Sequence, residues 1–110
     1  MVGDIGEEGD GARVRDRVAA TVGRPDAVVA SLGGWQPAPS LIAAQPADPR
    51  RVLEGNLLAH FVVARTFLPL LLDRGGSYTF INGPAASQPV PQSGLVSVST
   101  AGQVMLARAR

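Results

Sequence analysis

A chain of 110 residues holds at most one small domain, and its 45% hydrophobic content argues for a packed core over global disorder. Only 5% is aromatic, so that core must come mainly from Val, Leu, Ile and Ala. Net charge is +1, all ten basic residues are Arg with no Lys, and there is no Cys, which argues against nucleic acid and excludes disulfides and thiolate metal sites.

The N-terminus, MVGDIGEEGDG, is acidic and Gly-rich, so no signal peptide is expected. Residues 11–22 mix charged and apolar positions at helical spacing. Val14, Val18 and Val22 are expected inward and Arg13 and Arg17 outward, with Asp10 as N-cap and Gly23 as the stop. AVVAS (27–31) is a short apolar, β-branched run that reads as a strand buried on both faces and ends at Gly33-Gly34. The Pro-rich stretch 35–50 is a loop with one helical turn around Leu41–Ala44.

The strongest helix signal runs from about 51 to 74, starting at Asp48-Pro49 as a cap and first-turn Pro, and stopping at Gly75-Gly76. Pro69 is expected to kink it or weaken its last turn. His60, Arg65 and Pro69 interrupt its apolar run, so no membrane span is expected. SYTFI (77–81) reads as a second strand, a Pro-rich loop follows, and 97–110 reads as another helix. No acidic cluster surrounds His60, the single His, at ligand spacing, so no metal site is expected. The expectation is a soluble cytoplasmic chain.

Strands alternating with long helices imply an α/β architecture with a parallel sheet, whose ligand crevice lies at the strand C-termini. Within this order, VGDIGEE, GRPDAVVASLGGW, RVLEGNLLAHFVVARTFLPLLL and GGSYTFINGPAA follow one another at the spacing of a known family. The chain resembles the central segment of the short-chain dehydrogenase/reductase family over residues 2–110. The resemblance implies a partial Rossmann-like, doubly wound fold with parallel strands at about 27–31 and 77–81 and long helices at about 51–74 and 97–110. It also implies one partial domain, 1–110, lacking the N-terminal strands with their Gly-rich turn and the C-terminal strands. Such a slab would have an open strand edge and a bare sheet face, and would be marginal alone.

By the same resemblance, Asp4 and Ile5 take the places of an Asp and an aliphatic residue beside the adenine ring. Of an Asn-Asn-Ala-Gly turn, read here as Ala30-Ser31-Leu32-Gly33, only Gly33 matches. Asn56 falls on the characteristic Asn of the long helix and is the only match to the catalytic set. Gly83 stands at the catalytic Ser, Val96 at the Tyr and Thr100 at the Lys. The implied cofactor is NAD or NADP, held by Asp4, Ile5, Ser31, Gly33 and Ile81, with weak or absent binding expected without a pyrophosphate loop. The implied activity is oxidoreduction of carbonyl and alcohol groups. Val96 has no proton to give and Thr100 no charge to lower a neighbour's pKa, so this chain is expected to be catalytically incompetent.

Each of these residues also has a plainer reading. Asn56 can tie strand-end backbone, His60 can be a structural side chain, and Asp4-Ile5 can be a solvated turn. Gly33 and Gly83 either admit a ribose or simply turn the chain, and Trp35 either lines a pocket or covers the sheet end. The alternative to an oxidoreductase segment is a non-catalytic pseudo-enzyme or dimerisation module. Helices 51–74 and 97–110 would then pair with a second copy or a full-length homologue. A functionless fragment is the third reading.

Overall fold

The computed structural model describes residues 3–34, 40–72, 75–89 and 94–109. Trp35 and the predicted helix end at 74 lie outside the described residues. The chain begins with α1, Glu8–Thr21. Its N-cap is Glu7, not Asp10: the Glu7 carboxylate accepts from the Gly9 and Asp10 amides at 2.9 and 2.7 Å. Asp10 sits in the first turn, where Glu8 and Asp10 suit the positive end of the helix. Gly23, with φ 87°, ends the helix as expected. Val14 and Val18 are half-buried, but Val22 lies past the last helical turn and is 79% exposed.

Strands β1, Ala27–Ala30, and β2, Ser77–Phe80, pair in parallel, with Ala27 beside Ser77 and Ala30 beside Phe80. The Ile81 amide extends the ladder by donating to the Ala30 carbonyl at 2.9 Å. Strict alternation then sorts the side chains. Val28 and Ala30 share the covered face with Tyr78 and Phe80. Ala27, Val29, Ser77 and Thr79 share the other, where Val29 is 65% exposed. The expectation of a strand buried on both faces is therefore wrong, and the bare sheet face expected for such a slab is what is seen: the apolar run records two faces, but only one has helices against it.

A helical run from 47 to 70 forms the crossover that parallel pairing requires. It is built of α2 (Ala47–Val52), a π-helical segment (Leu53–Leu58), α3 (Ala59–Phe67) and a 3₁₀ turn (Leu68–Leu70). The start is earlier than expected, with Pro46 as N-cap and Asp48 and Pro49 inside the first turn. There the missing Pro49 N–H leaves no intrahelical bond unmade. Pro69 lies in the tightened last turn, and Gly75, at φ 64°, follows it. The turn expected near Leu41–Ala44 is present, closed by Ala43 and Ala44 amides donating to the Ser40 carbonyl. The last helix, α4, spans Gly94–Arg108, three residues earlier than expected.

The run packs α1 against α3 and α4 against the π-helical segment, and α3 reaches β1. Close approach is bought at Gly102, whose absent Cβ would lie 2.9 Å from a Leu57 methyl. Val52, Leu95 and Val96, with Ala44 and Ala85 alongside, form the apolar cluster under α2 and α4. Among the described residues, no helix is long and apolar enough to cross a membrane, and no group of three or more His, Cys, Asp or Glu is placed to hold a metal.

Candidate functional site

Both strands end in loops that point the same way, as parallel pairing dictates. Ser31–Gly34 follow β1 and Ile81–Gly83 follow β2. Between them lies a cleft of about 340 Å³, lined by these loops and by Asn56, Val96, Thr100 and Gln103. A wider trough of about 760 Å³ runs from Asp4, Ile5 and Gly6 past Arg50, Arg51 and Glu54, and shares Leu32 and Gly33 with the cleft. Together the two make one track across the strand ends, from Asp4 to Thr100.

Asn56 holds the first loop. It is 1% exposed; its Oδ1 accepts from the Gly34 amide at 3.1 Å, and its Nδ2 donates to the Gly34 carbonyl at 3.4 Å. The widened π-helical turn carries Asn56 on the inner side of the helix, as such turns often do at functional positions. Gly33 makes the approach possible. Its φ is 70°, and a Cβ there would collide with the Asn56 amide, 2.7 Å from Cγ, and press on the Gly55 carbonyl at 3.0 Å. What Gly33 admits at this point is Asn56. Gly83, by contrast, is extended at φ −145° and open on the side where a Cβ would stand.

Asn82 and Gln103 were invisible as site residues in the sequence, yet they complete the same network. Gln103, 2% exposed, donates from Nε2 to the Asn56 carbonyl at 3.2 Å and accepts at Oε1 from Asn82 Nδ2 at 3.1 Å. Asn82 also donates to the Thr100 carbonyl at 3.1 Å and accepts from the Gly83 amide. One readable signal existed. Leu95, Ser99 and Gln103 are buried at i, i+4, i+8, so Gln103 continues the inward face of α4. A chain of amides therefore joins the β1 loop to the β2 loop through two helices.

The remaining candidates fall into place around this network. Thr100 hydroxyl is committed to its own helix, donating to the Val96 and Ser97 carbonyls at 2.8 and 3.3 Å. Val96 is buried in the apolar cluster. Asp4 accepts at Oδ1 from the Gly6 amide at 3.1 Å, and its own amide donates to Asp10 Oδ2 at 2.9 Å. That amide and Arg13 hold the Asp10 carboxyl below its ordinary value. Ile5 is half-buried in the trough beside it, and Ile81 and Ser31 flank the cleft.

His60 lies beneath the cleft on α3, fully buried and stacked on Phe80 at 4.9 Å with an 11° tilt. Among the described residues neither of its ring nitrogens has a hydrogen-bond partner, and burial lowers its pKa. It is a packed ring whose burial disfavours the charged form. Tyr78, edge-on to Phe80 at 5.2 Å, has its hydroxyl buried and without a hydrogen-bond partner among the described residues, and burial pushes its pKa up to about 12.

A family model described as enoyl-(acyl carrier protein) reductase matches residues 1–110. Among solved structures, a dehydrogenase/reductase from Sinorhizobium meliloti is similar at 28% identity and a TM-score of 0.83, over 94% of this chain and 41% of that one. Sorbitol-6-phosphate 2-dehydrogenase from Erwinia amylovora gives 26% identity and a TM-score of 0.85, over 96% of this chain and 42% of that one. A gluconate 5-dehydrogenase from Burkholderia cenocepacia, in complex with NADP and tartrate, gives 26% identity and 0.83, over 94% and 40%. The chain thus spans less than half the length of these proteins. No protein of curated function matches it.

Proposed function

This chain belongs to the short-chain dehydrogenase/reductase family, and from that premise we propose that it is a segment of an NAD(P)-dependent oxidoreductase fold acting on carbonyl and alcohol groups, itself without the catalytic proton donor. One observation carries the reading. Gly83, Val96, Thr100 and Asn56, the positions that correspond by resemblance to the catalytic set, all line a single cleft at the strand ends. The position is kept while the chemistry is gone. Gly83 brings no hydroxyl, Val96 no acid, and the Thr100 hydroxyl is spent on backbone carbonyls. Loss of a positioned general acid costs ~10²–10⁴-fold in rate.

The residues of the trough suit one end of a dinucleotide. The exposed Asp4 carboxylate offers acceptors to an exocyclic amine, and Ile5 offers an apolar side to a ring. Gly33, Ser31 and Ile81 would face the rest of the cofactor along the track. The bound cofactor would supply the hydride; this chain's residues would position and shield it. The test is an assay of NADPH and NADH oxidation by the purified chain with a panel of ketones and aldehydes. The expected outcome is no turnover, with calorimetric titration showing cofactor binding weaker than micromolar. Turnover, or micromolar binding, would overturn this reading.

A second reading, a non-catalytic pairing module, is favoured by a different observation. Leu57, Leu58, Phe61, Met105 and Leu106 line an apolar groove of about 400 Å³ between the helical run and α4. Phe61 is 48% exposed and Met105 63%. These are the helices expected to pair with a second copy or a homologue.

A further inference from the structure

We propose that the cleft at the strand ends takes a neutral, largely apolar group and rejects an anionic group of the same shape. The proposal deepens the reading above, since it names the class of group bound at that site and rests on its being a ligand cleft.

Three observations point the same way. First, the walls are uncharged. Leu32, Ile81, Pro84, Ala85 and Val96 give apolar surface, and the polar lining consists of hydroxyls, amides and backbone. The sequence around it is equally bare: no Asp, Glu, Lys, Arg or His occurs from Ala27 to Ala47 or from Gly75 to Ala107. The charged side chains of the track, Asp4, Arg50, Arg51 and Glu54, line the adjoining trough and not the cleft. An anion confined to the cleft would therefore lose hydration with no lining cation to replace it, the costly case for burying charge.

Second, three backbone donors of the two strand-end loops, of the kind that receives anions, are already engaged. The Gly34 amide donates to Asn56 Oδ1, the Ile81 amide to the Ala30 carbonyl, and the Gly83 amide to Asn82 Oδ1. Pro84, next in line, has no N–H.

Third, the side-chain amides are spent on one another. Gln103 uses Nε2 on the Asn56 carbonyl and Oε1 on Asn82, and Asn82 uses Nδ2 on Gln103 and on the Thr100 carbonyl. This braces the two loops at a fixed separation. It leaves the ligand to be held mainly by apolar contact and shape. Rejection of the anion follows from unreplaced hydration rather than from repulsion, one of the two routes to specificity.

Acetophenone and benzoate are near-isosteric, one neutral and one anionic, and serve as the probes. The isotope-labelled full chain is titrated with each at neutral pH, following the methyl signals of Ile81, Ala85 and Val96 by NMR. Acetophenone is expected to shift them, and benzoate to require at least about tenfold more for the same effect. Ile81→Arg, which adds a cation at the exposed rim, should reverse the order. Equal binding, tighter benzoate, no binding of acetophenone up to its solubility, or no reversal in Ile81→Arg each overturns the proposal. Titration with NADP in parallel separates the two readings. Selective acetophenone binding together with micromolar NADP binding upholds the neutral cleft and overturns the reading proposed above. Indifferent benzoate with no micromolar NADP binding does the opposite.

Discussion

At the scale of single residues, two positions make sharp demands. Gly33 combines a left-handed φ of 70° with an Asn56 amide where its Cβ would be. Gly33→Ala should therefore lower stability by at least about 2 kcal/mol, from the backbone penalty and the steric conflict together. The double variant Gly33→Ala/Asn56→Ala removes the conflict and leaves the backbone term, so it should be less destabilised than the two single effects summed. Urea unfolding of the four proteins of this cycle checks it; strict additivity would mean that the contact carries no energy.

His60 makes the opposite demand, because it is a polar ring in a place that offers no hydrogen-bond partner among the described residues. Each buried unsatisfied polar atom costs about 1–3 kcal/mol, whereas an apolar replacement of the same shape can be neutral or stabilising. His60→Phe keeps the stacking on Phe80 and should hold or raise stability at neutral pH. The pH dependence follows from linkage. His60 has a lowered pKa in the folded chain, so below about pH 6.5 the unfolded chain binds a proton that the folded chain refuses. Stability should be flat above that pH and fall below it by up to about 1.4 kcal/mol per pH unit, until the folded pKa is reached. The lowered Asp10 carboxyl acts the same way only at lower pH, as it nears the carboxylate range. Denaturation midpoints between pH 7.5 and 5 (roughly the span in which His titrates) should therefore slope in the native chain and be level in His60→Phe. A slope that survives the substitution would assign it elsewhere.

At the scale of elements, the sequence was legible where one signal answers one question. Short β-branched runs closed by glycines gave both strands, and the helix lengths between them implied the parallel pairing now seen. Asn56 was also readable, and its observed bonds to Gly34 are those of the plainer reading, strand-end backbone held by a buried Asn. The π-helical segment Leu53–Leu58 left no trace, because one widened turn barely shifts a 3.6-residue period. Cap positions slipped because a Glu three residues before Asp10 reached the helix amides first. Burial of Val29 was misjudged for a deeper reason: β-branched content reports what a strand is built to face, not which neighbours are there. Asn82 and Gln103 were missed because amides read as solvated unless a helix face is followed through to its end.

At the scale of the whole molecule, the chain is a slab 48 × 24 × 20 Å in extent with a radius of gyration of 15.3 Å, against about 13 Å for a compact chain of this length. Two of its surfaces invite association, and they lead to different products. The face bearing Val29 belongs to a two-stranded sheet whose outer edges have no strand beside them among the described residues. Unpaired edges of this kind promote open-ended growth. The groove of Leu57, Leu58, Phe61 and Met105 lies between helices and can meet its own copy about a two-fold axis, which closes after two chains. Depletion of charge along α4 up to Arg108 favours that contact, since no like charges would be brought together. Light scattering should accordingly find a dimer. Phe61→Glu/Met105→Glu, which places carboxylates in the groove at exposed sites, should yield monomer with unchanged helical content by circular dichroism. Val29→Lys should leave the dimer intact while slowing aggregation on concentration. If Val29→Lys dissociated the dimer and the groove variant did not, the sheet face would be the interface and the pairing role of the helices would be lost.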